Sequence, residues 1–418
     1  MGKTFNQKVL GDIAYLVRES YVPKDGNKIP YIGLEHIGQG TLTLDSFGWS
    51  TEVTSIKSRF SKGDILFGKL RPYFRKVIQA PFDGICSTDI WVVRAKEGIN
   101  QRFLYYLMAS QDFIDYVTQG SDGTKMPRAN WSYASQFSFD IPSYTVQSQI
   151  GNILGSLDDK IALNNRMNLT LEEMARTIFK SWFVDFDPVR ARAEGRDPGL
   201  PAEIADLFPD SFEDSPLGEI PRGWRVVPIV EIAALLSGGT PKTSVPEYWD
   251  GNVYWVTAKD VSQKRSLYII DTDKKITELG LENSSAKILP KNTVIVTARG
   301  TVGAYALLGK EMAMNQTNYG LVSQRENEEY FLFFMVVSIL DELKRNAYGT
   351  IFDTITTRTF QNVKVLMPPT KLTRCFNDLV YPFFEKMLNN ENENASLIEL
   401  RDKLLPGLMN GSVHLRGD

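Results

Sequence analysis

The chain has 418 residues, 43% hydrophobic and 23% charged, with a formal net charge of −3, which suits two or three ordinary domains with real cores. Two cysteines (Cys86, Cys375) and two histidines (His36, His414) exclude a disulfide scaffold, a cysteine-rich zinc module and a multi-histidine metal site, and they fit a reducing cytoplasm. No apolar run reaches the roughly 18–20 residues of a membrane span, and the start, Met1-Gly-Lys-Thr-Phe-Asn, reads as lacking a signal core.

Residues 1–146 read as a first globular domain of mixed α/β character. Asp64-Ile-Leu-Phe and Ile90-Trp-Val-Val predict short strands, and Phe103 to Thr118 predicts a helix with an apolar face. His36 lacks sequence partners for catalysis and reads as structural. Between Lys57 and Lys76 stand seven basic residues against one acid, Asp64, with Phe60, Phe67, Tyr73 and Phe74 interleaved. That cluster reads equally as a solvated strand edge and as a nucleic-acid surface.

Residues 147–184 predict one long helix. A seven-residue pattern places Ile150, Leu157, Asn164, Leu171 and Ile178 at one seam position and Leu154, Ile161, Asn168, Ala175 and Trp182 at its partner. Residues 185–221 carry 3 Lys/Arg against 10 Asp/Glu and are rich in proline, which predicts an extended acidic connector rather than a packed domain. Residues 222–370 form a second globular domain, with strands at Val294-Ile-Val-Thr and Tyr319-Gly-Leu-Val and a helix from Phe331 to Leu343. Residues 371–411 predict a second long helix, with Pro382 in its first turns or at a kink, and 412–418 a tail.

The order of these elements repeats. Lys62-Gly-Asp-Ile-Leu-Phe and Lys291-Asn-Thr-Val-Ile-Val stand 229 residues apart, and Gly123-Thr124 and Gly349-Thr350 stand 226 apart. The same shift of 226 carries the first seam onto Phe376, Phe383, Asn390, Leu397, Leu404 and onto Val380, Met387, Asn394, Arg401, Leu408. Asn164, Asn168, Asn390 and Asn394 thus fall at matching layers, where a buried amide weakens a seam but sets its register. Arg401 at a seam position predicts an imperfect interface. The fold class is α+β: two similar mixed α/β domains joined by two long antiparallel coiled-coil helices. A pseudo-two-fold internal repeat of this kind would put the two domains at opposite ends.

Catalytic signatures are missing. Gly2-Lys3-Thr4 has the end of a nucleotide-binding loop without its upstream strand, no glycine-rich dinucleotide fingerprint follows a strand, and Met367-Pro-Pro-Thr lacks the amide and aromatic of a base-methylation motif. What remains are donor-bearing loops in matched pairs. Arg299-Gly-Thr301-Val-Gly303 has its counterpart in Lys69-Leu-Arg71-Pro-Tyr73. Gly123-Thr124-Lys125-Met-Pro-Arg128-Ala-Asn130 pairs with Gly349-Thr350 through Thr357 and Arg358. Arg and Asn can read base edges bidentately, while Lys, Thr and backbone amides hold phosphates. The candidate DNA-binding residues are therefore Lys69, Arg71, Tyr73, Thr124, Lys125, Arg128, Asn130, Arg299, Thr301, Thr350, Thr357 and Arg358, on two half-sites of one duplex. No catalytic and no metal-binding residue is assigned.

A globular domain repeated twice, each copy followed by a long Asn-containing helix, resembles the specificity subunit of type I restriction–modification systems. The resemblance rests on Leu289-Pro-Lys-Asn-Thr-Val-Ile-Val, Arg299-Gly-Thr-Val-Gly, Met314-Asn-Gln-Thr-Asn, Leu235-Leu-Ser-Gly-Gly-Thr-Pro and the stretch Leu397 to Gly411, and spans roughly residues 8–411. The first copy departs from it, with Lys69-Leu-Arg71-Pro where the second has its glycines. The resemblance implies that residues 1–146 and 222–370 are target-recognition domains, each reading half of a split DNA sequence. It implies helices that act as ruler and docking site for two methyltransferase subunits, which bind S-adenosylmethionine and methylate adenine. It also implies a further restriction and translocase subunit, a cytoplasmic location, and a chain that itself binds no cofactor and catalyses nothing. The alternative is a two-domain protein-interaction scaffold that does not bind nucleic acid.

Overall fold

A computed structural model describes residues 6–24, 26, 28–264, 266–347 and 354–413. It divides into two units, Met1–Leu163 with Glu393–Asp418 and Asn164–Asn392. The first unit is built on a four-stranded antiparallel sheet in the order Ala14–Leu16, Ile90–Ala95, Ile65–Gly68, Val77–Gln79. The second has the same order in Ala233–Ser237, Asn318–Ser323, Val294–Thr297, Tyr305–Leu308, with Tyr268–Ile269 added at the edge. The two central strands, Ile65–Gly68 and Val294–Thr297, are buried at every residue, so they read as apolar runs rather than as alternations. In each unit a short antiparallel pair closes the domain onto its helix: Asn6–Val9 with Ser138–Ile141, and Arg225–Pro228 with Lys364–Met367.

The expected single helix after the sheet is two helices in both units. Gln101–Met108 and Gln111–Gln119 are separated at Ala109-Ser110, where the Ser110 hydroxyl accepts the Phe113 N–H and starts a new helix. The counterparts are Glu329–Ser338 and Leu340–Ala347. The split keeps both apolar faces on the sheet.

The long helices are Tyr144–Phe183 and Thr370–Met409, 40 residues each and related by the shift of 226. Within the second unit they run antiparallel: Phe179 packs on Phe376 (centroids 5.8 Å), and further along Asn390 Nδ2 donates to Asn168 Oδ1 at 2.7 Å. Asn164 and Asn390 are buried in this unit and Asn394 in the first. Within the first unit Asp158 meets Arg401 and Lys160 meets Glu393. Pro382 does not lie in the first turns. It stands in the helix interior, on the exposed side, where water can satisfy the carbonyl that loses its partner. Phe376, Val380, Phe384 and Met387, buried around it, hold the helix continuous.

Residues 185–221 are not extended. They form the helices Asp187–Ala193 and Ala202–Ala205 and the hairpin Phe212–Ser215 with Gly218–Pro221. Phe186, Val189, Phe208 and Ile220 are buried in the core of the second unit with Trp182, Phe183 and Trp224. Acidity placed the segment outside the core, but its few large apolar residues are enough to dock it while the carboxylates face water.

Glu391 sits one residue past the Asn390 layer and its Oε1 accepts the Asn168 Nδ2 at 2.6 Å. Burial pushes its carboxyl above the ordinary value of 4.5, against the hydrogen bonds from Ser266 and Asn168. The folded state therefore binds this proton more tightly than the unfolded chain, and stability falls as pH rises from 4.5 through the raised value. Glu391→Gln keeps the acceptor and removes the ionisation. Urea unfolding between pH 4 and 7 is expected to show that part of the slope gone, with equal or greater stability at pH 7. A variant with the wild-type slope would refute this.

Candidate nucleic-acid interface

In the second unit one end of the sheet gathers four chain segments. Past the strand Val294–Thr297, the Ala298 N–H donates to the Thr317 carbonyl (2.8 Å), and the Ile355 N–H donates to the Ala298 carbonyl (3.2 Å). The Arg299–Gly303 turn is braced from beneath. Buried Thr297 donates its hydroxyl to the Thr301 carbonyl and accepts the Ala304 N–H at 2.9 Å. Gly300 and Gly303 take φ of 80° and 78°, a left-handed backbone that costs a side-chain-bearing residue about 1 kcal/mol or more. Arg299 and Thr301 are exposed at the tip, and among the described residues the Arg299 guanidinium has no hydrogen-bonding or ionic partner.

The helix Thr357–Asn362 starts beside this turn. Thr356 caps it by accepting the Thr359 N–H, and the Thr357 hydroxyl lies 3.4 Å from the Tyr319 hydroxyl on the neighbouring strand. Arg358 is exposed and likewise without a partner among the described residues. Arg299, Thr301, Thr357 and Arg358, far apart in sequence, thus share one end of the sheet. Thr350 and Gly349 lie outside the described residues. The fourth segment, Gly238-Gly239-Thr240, escaped the sequence reading as a site. It continues the outer strand Ala233–Ser237 at this same end, and Thr240 donates to Gln316.

The first unit repeats the construction. The Ala129 N–H donates to the Lys69 carbonyl at 2.8 Å, the counterpart at the same shifts of the Ile355–Ala298 bond. Arg71 takes φ 51° where the second unit has Gly300, and its N–H donates to the Pro127 carbonyl at 2.7 Å. The left-handed backbone at this position is thus kept without glycine, while the turn that follows is one residue longer than in the second unit, with its next left-handed residue at Arg75. Lys69 is half-buried, Tyr73 is half-exposed and Thr124 and Lys125 are exposed. The Arg71 guanidinium is only partly tied, with Nη2 3.5 Å from the Lys125 carbonyl and Nε buried without a partner.

Two expected readers in this unit are already engaged. Arg128 pairs with Asp89 at 3.1 Å, and that hydrogen bond raises its guanidinium above the ordinary value. The Asn130 side-chain Oδ1 caps the helix Trp131–Ala134 by accepting the Ser132 N–H at 2.9 Å; its counterpart in the second unit is the capping Thr356. The basic run from Lys57 to Lys76 is also mostly spent inside. Lys57 is buried on Ser55, Arg59 stacks on Tyr21, Arg75 donates to the Ala109 carbonyl, and Lys76 donates to the Leu34 and Ile37 carbonyls. His36 is structural: its Nδ1 accepts the Gly33 N–H at 2.9 Å. Among the described residues no His, Cys, Asp or Glu group could hold a metal ion, and no helix is long and apolar enough to cross a membrane.

The family model described as the type I restriction modification DNA specificity domain matches residues 3–173 and 221–397. The chain is 29% identical over 408 residues to the type I restriction enzyme HindI specificity subunit of Haemophilus influenzae, covering 85% of this chain and 88% of that one. To the MjaIX specificity subunit of Methanocaldococcus jannaschii it is 25% identical over 324 residues, covering 77% and 71%. Its fold is similar to the crystal structure of a type I restriction–modification S subunit from M. genitalium. There the identity is 15%, the TM-score 0.57, and 97% of this chain and 96% of that one are covered. The two matched stretches coincide with the two repeats built above, and the chain belongs to the family of type I restriction modification DNA specificity domains, as a specificity subunit that carries the domain twice.

Proposed function

We propose that each unit binds one part of a split duplex target at the sheet end described above, and that the chain supplies recognition and no catalysis. One observation carries this. In both units the same two loops are tied by the same backbone hydrogen bond at the same end of the same sheet, and in the second unit that end presents two guanidinium groups that have no partner among the described residues. Guanidinium forks at a groove read base edges, while Lys69, Lys125 and the threonines neutralise and hold phosphates. The chain works in the cytoplasm with two methyltransferase subunits and with restriction subunits. S-adenosylmethionine binds to the methyltransferases, which modify adenine, and this chain binds no cofactor.

Arg299→Ala is the test. Because Arg299 braces nothing among the described residues, the variant is expected to melt with the wild type. It should lose about 1–3 kcal/mol of affinity on the cognate duplex and relax preference at one position. Titrations at several salt concentrations separate a base contact from a phosphate contact, which would weaken all sequences evenly and lower the salt slope by about one unit. Wild-type binding that is indifferent to salt and sequence would overturn the proposal as a whole.

A further inference from the structure

A side chain outside the expected set is oriented by the fold at the same end of the second sheet. Gln316 is exposed in the turn between the strands Ala313–Met314 and Asn318–Ser323. The turn is locked by Asn315, whose Oδ1 accepts the Thr317 N–H (3.2 Å), the Thr317 hydroxyl (2.6 Å) and the Asn318 amide (3.0 Å). The Thr317 carbonyl in turn receives the Ala298 N–H, which sets Gln316 beside the Arg299 turn.

The Gln316 amide is then oriented from the other side. The Thr240 hydroxyl donates to its Oε1. Thr240 can reach it because the chain before it carries no side chain: a Cβ on Gly238 would stand 2.2 Å from the Met314 carbonyl oxygen, and one on Gly239 2.4 Å from the Ala286 nitrogen. The Trp255 Nε1–H fixes the same segment by donating to the Gly239 carbonyl at 2.9 Å. Two glycines, a buried tryptophan and a threonine thus converge on an exposed glutamine. Freezing such a side chain costs up to about 2 kcal/mol of rotamer entropy, and the fold gains little packing from it.

We propose that Gln316 reads an adenine in the half-site bound by the second unit. With Thr240 occupying one lone pair, Oε1 keeps another to accept the adenine N6–H, and Nε2 remains free to donate to N7, the bidentate pairing that glutamine makes with adenine in the major groove. The same hydroxyl holds the amide at the tip of the turn, where both of its polar ends stay available to a base edge. Thr240 is a positioning residue for this contact.

The proposal rests on the reading of the second unit as a DNA-binding domain, and the experiment separates the two. The full chain is mixed with a pool of duplexes randomised in sequence, and the retained molecules are sequenced. Gln316→Ala is expected to lower the preference for adenine at one position roughly ten- to hundredfold and to leave the other positions intact. Gln316→Glu should shift that position toward cytosine, whose N4–H donates to a carboxylate. Thr240→Val should weaken the same position only, by a smaller factor, with an unchanged melting temperature. If the wild type enriches a sequence and Gln316→Ala keeps its full profile, or weakens all sequences evenly, the adenine contact is refuted while DNA reading stands. If the wild type enriches nothing, both fall.

Discussion

Arg401→Ala is expected to destabilise the first unit by about 3–5 kcal/mol, on the order of 10 °C in melting temperature. Arg401 is fully buried, with its donors committed: Nη1 to Asp158 Oδ1 (2.8 Å) and the Thr41 carbonyl (2.9 Å), Nε and Nη2 to Asp402. The Tyr106 hydroxyl closes the network on Asp158 Oδ2 at 2.6 Å. Removing the guanidinium leaves a largely buried carboxylate without its cation, a charge that solvent reaches only in part. The second unit shows the apolar solution at the same places. At the shifts of the repeat, Arg401, Asp158 and Tyr106 correspond to Ala175, Phe384 and Met335, all buried in its core. The triple variant Arg401→Met, Asp158→Leu, Tyr106→Phe should therefore recover most of the loss. A triple variant as unstable as Arg401→Ala would refute the network as the cause.

Phe376→Ala should cost the second unit a similar amount, about 3–5 kcal/mol, by opening a cavity where several elements meet. Phe376 is completely buried, and its ring lies 5.4 Å from Phe183, 5.8 Å from Phe179 and 6.0 Å from Phe334. Trp182 and Phe183 pack in turn against Phe208 and Trp224, so the cavity opens beside the docked segment 185–221. Limited proteolysis should cleave that segment faster in the variant, while Phe376→Leu, which keeps most of the volume, stays near wild type. Unchanged protection of 185–221 would show that its docking does not depend on this aromatic cluster.

Local pattern carried most of the architecture. The strand at Val294 to Thr297 was legible to the residue, because a short apolar run bounded by polar turns has few other uses. The long helices were legible because heptad spacing and a constant shift of 226 are properties of the chain alone. The paired loops were legible for the same reason.

What stayed hidden was which polar side chains are taken up by partners distant in sequence. Arg401 reads as a flaw in a seam until Asp158, Tyr106 and Thr41 are seen around it. Arg75 and Lys76 read as free cations until the carbonyls of Ala109, Leu34 and Ile37 capture them. Gln316, inside the motif Met314-Asn-Gln-Thr-Asn, shows no role of its own until Thr240, 76 residues earlier, grips its amide. Residue type and spacing determine periodicity, and so elements, seams and repeats, because these follow from the chain's own geometry. Whether a given donor is spent or available is decided by which acceptors the fold brings within about 3 Å. A hydrogen bond is short-ranged and directional, so that selection belongs to the tertiary structure.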